Sequence, residues 1–146
     1  MTKDKKIPIK LKVKTTNYQE KDQQTIELIT FGTLVKKENA DFLQYDEVME
    51  DIGTIATTLK LTEKEALIIR NGPVKMNLPL QKNKKRVGRY TTPYGIFDLE
   101  TYTSRYTYVP NNHSGTIDLL YDLTIQGQSS GQFLLNIEFK EDKINE

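Results

Sequence analysis

The stretch IPIKLKVK, residues 7–14, sets apolar residues at every second position, with proline or lysine between them. Successive side chains of a β-strand point to opposite faces, so this pattern predicts a strand with one apolar and one solvated face. We interpret its lysines as protection of an edge strand, because lysine there discourages pairing with other chains. The alternative is a stripe that binds nucleic acid. A net charge of +1, from 21 basic and 20 acidic residues, argues against it. We expect no nucleic-acid partner.

The same period of two recurs along the chain between short polar connections. Gly32, inside the second apolar run, indicates a bulge or a sharp bend. A seventh strand ends in the turn TTPYG, residues 91–95. The other predicted strands cover approximately residues 7–13, 25–37, 40–49, 53–61, 65–70, 74–81, 96–109, 116–126 and 132–140.

The segment 62–70 fits either a helix or a strand. Thr62 and Glu65 have the spacing of a helix capping box, whereas Asn71-Gly72 is a strong signal for a β-hairpin. We favour the strand. A two-residue turn at Asn71-Gly72 places Arg70 on the outer face. The inner face then holds the apolar side chains Leu67, Ile69, Val74, Met76 and Leu78.

About ten consecutive antiparallel strands predict one all-β domain over residues 1–146. The expected architecture is a closed or flattened antiparallel up-and-down β-barrel of about eight to ten strands, since closure removes free sheet edges. A β-sandwich is the alternative, but Greek-key sandwiches need long crossing connections. Residues 1–5 and 141–146 are expected to fray.

Three stretches, GTIATTLKL, RNGPVKMN and RYTTPYGIFDLETYT, together resemble the YwiB-like family of bacterial proteins. The resemblance implies a lipocalin-like, or calycin, β-barrel and a cytoplasmic location, and it brings no established activity or agreed site. The chain departs from better known relatives of that fold. It has no tryptophan, so it lacks the Gly-x-Trp motif of secreted lipocalins. It also shows no helix pair of the kind that covers intracellular fatty-acid-binding proteins.

Composition excludes most catalytic and metal chemistry. The chain has no cysteine and one histidine, His113, which lies in the loop PNNHSG, so we predict no metal site and no cofactor. Asp118 and Asp122 would lie about 13 Å apart on one strand, too far for one ion. No catalytic constellation emerges, although a carboxylate pair such as Asp98 and Glu100 leaves a glycosidase open. Without a signal-peptide core or a membrane span, the chain is expected to be cytoplasmic and free of membrane.

The hairpin at RYTTPYG, residues 89–95, gives the candidate site. A three-residue loop over 93–95 pairs Arg89 with Leu99. Phe97 and Leu99 are the apolar alternates of the following strand, so Arg89 is expected to point inward with them. The same inner row then continues with Thr101, Thr103 and Arg105. The prediction depends on the loop length, since a one-residue change reverses the face of every side chain on one strand.

These residues predict a non-enzymatic barrel that binds a small, partly apolar and anionic, lipid-like ligand. Arg89 and Arg105 would hold a carboxylate or phosphate. The apolar part would contact Met76, Leu78, Leu119, Tyr121 and Phe133. Under the alternative, Arg89 reaches an acidic neighbour at the barrel rim, and Arg105 leaves the core where its strand ends.

The opposite face of the same strand predicts a different function. It carries Tyr102, Ser104, Tyr106 and Tyr108, a row that suits a homodimer or another protein contact. Stacking on single-stranded nucleic acid is a weaker reading of the row, given the net charge. An enzyme at the barrel mouth is the third hypothesis.

Overall fold

The computed structural model describes residues 5–143, and their regular structure is all β. The ten strands are β1 (Ile7–Gln19), β2 (Asp22–Lys36), β3 (Asp41–Met49), β4 (Gly53–Leu61), β5 (Glu65–Asn71), β6 (Lys75–Gln81), β7 (Lys85–Thr92), β8 (Gly95–Asn111), β9 (Ser114–Ile125) and β10 (Gln128–Glu141). The strand favoured for the ambiguous segment is therefore confirmed as β5. Thr62 instead closes the β4–β5 turn, where its Oγ1 accepts hydrogen bonds from the backbone N–H groups of Lys64 and Glu65. In the described part of the chain, no helix is long and apolar enough to cross a membrane.

Each strand pairs antiparallel with the next one in sequence, and β1 also pairs with β10, which closes the barrel. The predicted closed up-and-down architecture is confirmed. Since β1 is hydrogen-bonded on both sides, the interpretation of its lysines as protection of an edge in the folded barrel is wrong. The sheet also runs past residue 140, because β10 reaches Glu141 and the backbone N–H of Asp142 donates to the carbonyl of Pro8. The remaining residues expected to fray, apart from Lys5 and Lys143, lie outside the described range.

The barrel interior is filled by apolar side chains over most of its length. Ile9, Leu11, Leu43, Leu80 and Leu119 are fully buried at its centre. The inner rows predicted on the last two strands are also confirmed, since Ile117, Tyr121, Leu135, Ile137 and Phe139 all belong to this core.

Tyrosines seal one end of the barrel, which we call the closed end. A bulge between Thr103 and Arg105 turns the second half of β8, so that Tyr106 and Tyr108 pack against the core. The Tyr106 hydroxyl donates to the carbonyl of Thr62, and the Tyr108 hydroxyl donates to Asp41, each at 2.6 Å. Burial and the nearby carboxylate of Asp41 raise the pKa of both tyrosines, so both remain neutral donors.

Replacing Tyr108 with phenylalanine removes the hydrogen bond to Asp41 but keeps the packed aromatic ring. The lost bond ends on a carboxylate in a half-buried position, so we expect a destabilisation of about 1–2 kcal/mol. Urea unfolding followed by circular dichroism measures it. Tyr94→Phe is the control, because Tyr94 is 94% exposed at the tip of the β7–β8 turn. If Tyr108→Phe is as stable as the unaltered protein, the hydrogen bond from Tyr108 to Asp41 does not stabilise the fold.

The strands β2 and β3 separate at Gly32. They are paired only from Gly32 to Lys36 and from Asp41 to Tyr45. A Cβ at position 32 would lie 2.0 Å from the carbonyl oxygen of Gln44, so only glycine permits this close crossing. The predicted bend at Gly32 matches this separation. It leaves two edges without a β2–β3 pairing, residues 22–31 of β2 and residues 46–49 of β3, which together we call the seam.

Strands β6 and β7 also diverge after a short pairing. Their described register ends at Asn77 and Arg89, and a Cβ at Gly88 would lie 2.1 Å from the carbonyl oxygen of Asn77. Beyond this crossing, β6 packs toward β8, where the buried hydroxyl of Thr101 donates to the carbonyl of Pro79 at 2.7 Å.

Candidate functional site

The inner-face side chains at the end of the barrel opposite the tyrosine seal are more exposed to solvent than the core, and we call this end the open end. Its inner-face side chains are half-buried rather than buried, which distinguishes them from the core next to them. They belong to the same inner rows as the core, and all except Phe97 pack against it. The apolar members of this set are Leu28, Met76, Tyr90, Phe97, Leu123, Ile125 and Phe133.

Arg70 points into the open end. It lies on the inner row of β5, after the buried Ala66 and Ile68, and it is paired across the sheet with Thr57 and Met76. Its Nη2 lies 3.6 Å from the Oε1 of Glu47 on β3. The side chains of Arg70 and Glu47 keep 31% and 18% of their exposure, so the charges are partly hydrated.

The same carboxylate is held by a second contact. The hydroxyl of the buried Thr57 donates to Oε1 of Glu47 at 3.0 Å. The Oε1 of Glu47 therefore accepts a hydrogen bond from Thr57, whereas its 3.6 Å distance to Arg70 is that of an ion pair without a hydrogen bond. Arginine offers five N–H donors, so the ion pair leaves most of its hydrogen-bonding capacity unused.

Two polar atoms at this end are buried without a hydrogen-bond partner among the described residues. They are the Nε of Arg70 and the Oδ1 of Asn17, which is cross-strand from Phe133. An unsatisfied buried donor or acceptor costs about 1–3 kcal/mol, so each is a candidate contact for a bound molecule.

Two tyrosines extend the site toward the core. Burial raises the pKa of Tyr121 to about 12, and the positive charge of Arg70 partly offsets this shift. Burial, together with the negative charge of Glu47, raises the pKa of Tyr45 still further. Both hydroxyls are therefore neutral donors beside the ion pair. The ring of Tyr121 stacks on that of Phe133, with centroids 5.6 Å apart, and forms an aromatic wall.

A second inward arginine, Arg86 on β7, is held through one nitrogen by side chains of β5 and β6. Its Nη1 donates to Glu65 at 2.9 Å and to Gln81 at 2.8 Å. These contacts tie β5, β6 and β7 together toward the closed end. Arg86 therefore stabilises the contact between the strands, whereas the Nε of Arg70 has no hydrogen-bond partner among the described residues.

The predicted inward orientation of Arg89 is wrong. The β7–β8 turn has two central residues, Pro93 and Tyr94, and pairs Thr92 with Gly95. The loop is one residue shorter than predicted, so the face of β7 is reversed. Arg89 is exposed on the outside of the barrel, cross-strand from Asp98.

The predicted inward orientation of Arg105 is also wrong, for a different reason. The β8 bulge follows Thr103, so Arg105 changes face and becomes exposed. Its guanidinium binds Asp118 on β9, with Nη2 3.1 Å from Oδ1. The same bulge removes Tyr106 and Tyr108 from the outer row, which keeps only Tyr102 and Ser104 of the four residues predicted there.

The other predicted site residues do lie on the inner face, but at different depths. Thr101 and Thr103 are buried inside the barrel, where Thr103 Oγ1 has no hydrogen-bond partner among residues 5–143. Leu78 and Leu119 are part of the filled core. The open end holds Met76 and Phe133, and Tyr121 borders it. The role of these residues in ligand binding stays a prediction.

Sequence reasoning missed Arg70 because it assumed a two-residue turn at Asn71-Gly72. The observed pairing of Arg70 with Met76 makes the connection longer and reverses the face of β5. Pro73 was the available signal. A two-residue turn would require a hydrogen-bonded pair at positions 70 and 73, and proline has no N–H to donate.

Two further features of the molecule bear on ligand binding. Across residues 5–143, no group of three or more histidine, aspartate or glutamate side chains is arranged to hold a metal ion. A groove of about 550 Å³ lies on the outside of the sheet, with Ile29, Val109 and Lys10 among its lining residues. Its Lys12 is paired across the strands with Glu138, so part of its charge is already compensated.

The fold and sequence agree with those of proteins already described. The family called "Domain of unknown function (DUF1934)" matches residues 9–137. The uncharacterized beta-barrel protein YwiB of Bacillus subtilis (strain 168) is 31% identical over 118 residues, which cover 81% of this chain and 82% of the relative. The crystal structure of the ywiB protein from Bacillus subtilis superposes with a TM-score of 0.86 at 28% identity, covering 94% of each chain. The chain therefore belongs to the DUF1934 family of YwiB-like β-barrel proteins.

Proposed function

We propose that this protein binds a small, partly apolar anion inside the open end of its barrel. Arg70 is the residue that holds the anionic group in this proposal. The apolar part of the ligand lies against the half-buried inner-face side chains, chiefly Met76, Tyr90 and Phe133. The observation that carries the proposal is an inward arginine whose buried Nε has no hydrogen-bond partner among the described residues.

The chemistry of the pair explains why an anion would bind next to Glu47. Arginine can present two parallel N–H groups to a carboxylate, phosphate or sulfonate, and its charge persists at every physiological pH. Glu47 meets Arg70 through one atom pair at 3.6 Å, a weaker arrangement than a bidentate contact. Glu47 also accepts a hydrogen bond from Thr57, so it keeps one hydrogen-bond donor when Arg70 turns toward a ligand.

The architecture supports the same conclusion. An up-and-down barrel can hold a ligand in its interior, as lipocalins do, when side chains do not fill it completely. Here the core fills the centre, Tyr106 and Tyr108 cover the closed end, and the other half-buried apolar residues lie at the open end. A lipocalin-like role, without catalysis and in the cytoplasm, completes the proposal.

A matched pair of fluorescent probes tests it. The sulfonate 1-anilinonaphthalene-8-sulfonate and the neutral N-phenyl-1-naphthylamine share one aromatic framework and differ in the anionic group. We expect Arg70→Met to weaken binding of the sulfonate about tenfold, because a hydrogen bond to a charged group contributes about 1.5–3 kcal/mol. Binding of the neutral probe should be unchanged. Titration by fluorescence suits a chain without tryptophan.

Two further variants control the experiment. Arg89→Met removes the same charge from the outer face and should leave both affinities unchanged. Glu47→Gln removes the competing carboxylate and should strengthen sulfonate binding. If the sulfonate binds equally to Arg70→Met and Arg89→Met, Arg70 is not the anion site. If neither probe binds the folded protein, the open end is not a ligand site for this chemical class.

A further inference from the structure

The seam presents unusually long strand edges for a closed barrel. Residues 22–31 of β2 are hydrogen-bonded to β1 on one side and have no β3 partner on the other. At about 3.3 Å per residue, this edge is about 33 Å long. Residues 46–49 form the facing edge, which is paired only with β4. An extended chain can add to such an edge through main-chain hydrogen bonds.

The seam lacks the lysine and proline residues that commonly protect a free edge. Natural edges carry lysine or proline, or are covered, because they otherwise recruit other strands. The segments 22–31 and 46–52 contain no lysine, arginine or proline. They carry instead large apolar side chains that are mostly exposed, namely Ile26 at 68%, Ile29 at 61%, Phe31 at 60% and Val48 at 82%.

The charge of the seam is uniformly negative. It carries Asp22, Glu27, Asp46 and Glu47, and Glu50 and Asp51 follow it in the turn after β3. Two of these carboxylates have a basic neighbour, since Lys14 on β1 is cross-strand from Glu27 and Arg70 lies beside Glu47 inside the barrel. A second copy of this chain would bring like charges together, so self-pairing along the seam is electrostatically unfavourable.

We propose that the seam receives an extended partner segment that alternates basic and apolar residues. Its backbone completes the hydrogen bonding of β2. Its basic side chains lie on the outer face and meet Glu27 and Asp46, and its apolar side chains lie on the inner face beside Ile26. The seam borders the Arg70 site at Glu47, but strand addition does not use Arg70, so removal of Arg70 does not abolish it.

Hydrogen exchange with a synthetic peptide tests the proposal. The probe alternates lysine and valine. We expect it to protect the backbone amides of residues 22–31 and 46–49 in the full-length protein, as read by mass spectrometry. A peptide of equal length that alternates glutamate and valine should give no protection. A backbone N-methylated form of the lysine peptide keeps its charge but cannot donate the ladder bonds, and should bind at least tenfold more weakly.

Charge variants give the second arm. Glu27→Gln combined with Asp46→Asn should weaken peptide binding at least fivefold. Glu63→Gln combined with Asp122→Asn removes two exposed carboxylates away from the seam and should have no effect. Protection at other strands, or equal binding of the N-methylated peptide, would refute strand addition. Protection of the seam that grows with protein concentration and needs no peptide would identify a second copy as the occupant instead.

Discussion

Gly32→Ala is expected to destabilise the barrel by about 3 kcal/mol or more. The new Cβ would lie 2.0 Å from the carbonyl oxygen of Gln44 and 3.0 Å from the Cβ of Tyr45. The oxygen belongs to the backbone of β3, so no side-chain rotation relieves the contact, and β2 must move away from its partner. The pairing that closes the barrel between these strands is lost or shifted. Urea unfolding followed by far-ultraviolet circular dichroism measures the change.

Gly95→Ala provides the control for replacing a glycine in a strand. A Cβ at position 95 meets nothing within 4 Å, although the residue has a φ of 145°. Its substitution should cost about 1 kcal/mol, from backbone strain alone. Gly32 has no such positive φ, so its cost comes from the close contact. Similar losses in the two variants would show that the β2–β3 crossing tolerates a side chain.

Leu119→Ala should cost about 2–5 kcal/mol, the range for truncating a leucine in a filled core. Leu119 is fully buried on the inner row of β9, and the neighbouring Leu120 points outward and is half-buried. Leu120→Ala makes the same change in composition on the same strand and should cost about 1 kcal/mol. Thermal and urea unfolding of the two variants measure the difference. If Leu120→Ala costs as much as Leu119→Ala, the assignment of inner and outer faces on β9 is wrong.

The fold could be predicted because the apolar period of two is local. It identified the apolar inner residues of β9 and β10 and the first half of β8, where Leu99 and Thr103 are buried as expected. Short connections then favoured neighbouring strands over crossing ones, which gave the closed barrel. The ambiguous segment was resolved by the hairpin signal that follows it, since β5 and β6 do form a hairpin.

The site was predicted less well, because the register of strand pairing decides whether an arginine side chain points into the barrel or out of it. A loop shorter by one residue placed Arg89 outside, and a longer connection placed Arg70 inside. The same rule acted within a strand, where the bulge after Thr103 reversed Arg105, Tyr106 and Tyr108. In a mostly polar strand such as β7, few apolar residues mark the inner face, so the sequence pattern does not reveal a change of register.

The pairing of β1 with β10 has a consequence for the newly synthesised chain. Ile9 pairs with Glu141, so β1 lacks its second partner until nearly the whole domain has been made. During that interval β1 and β2 form a hairpin whose outer strand is free, and the apolar row of β1 is available for wrong associations. Lys10, Lys12 and Lys14 alternate with this row. These lysines protect no edge in the folded barrel. They therefore protect the free edge of β1 during the time in which the last strand is still being synthesised.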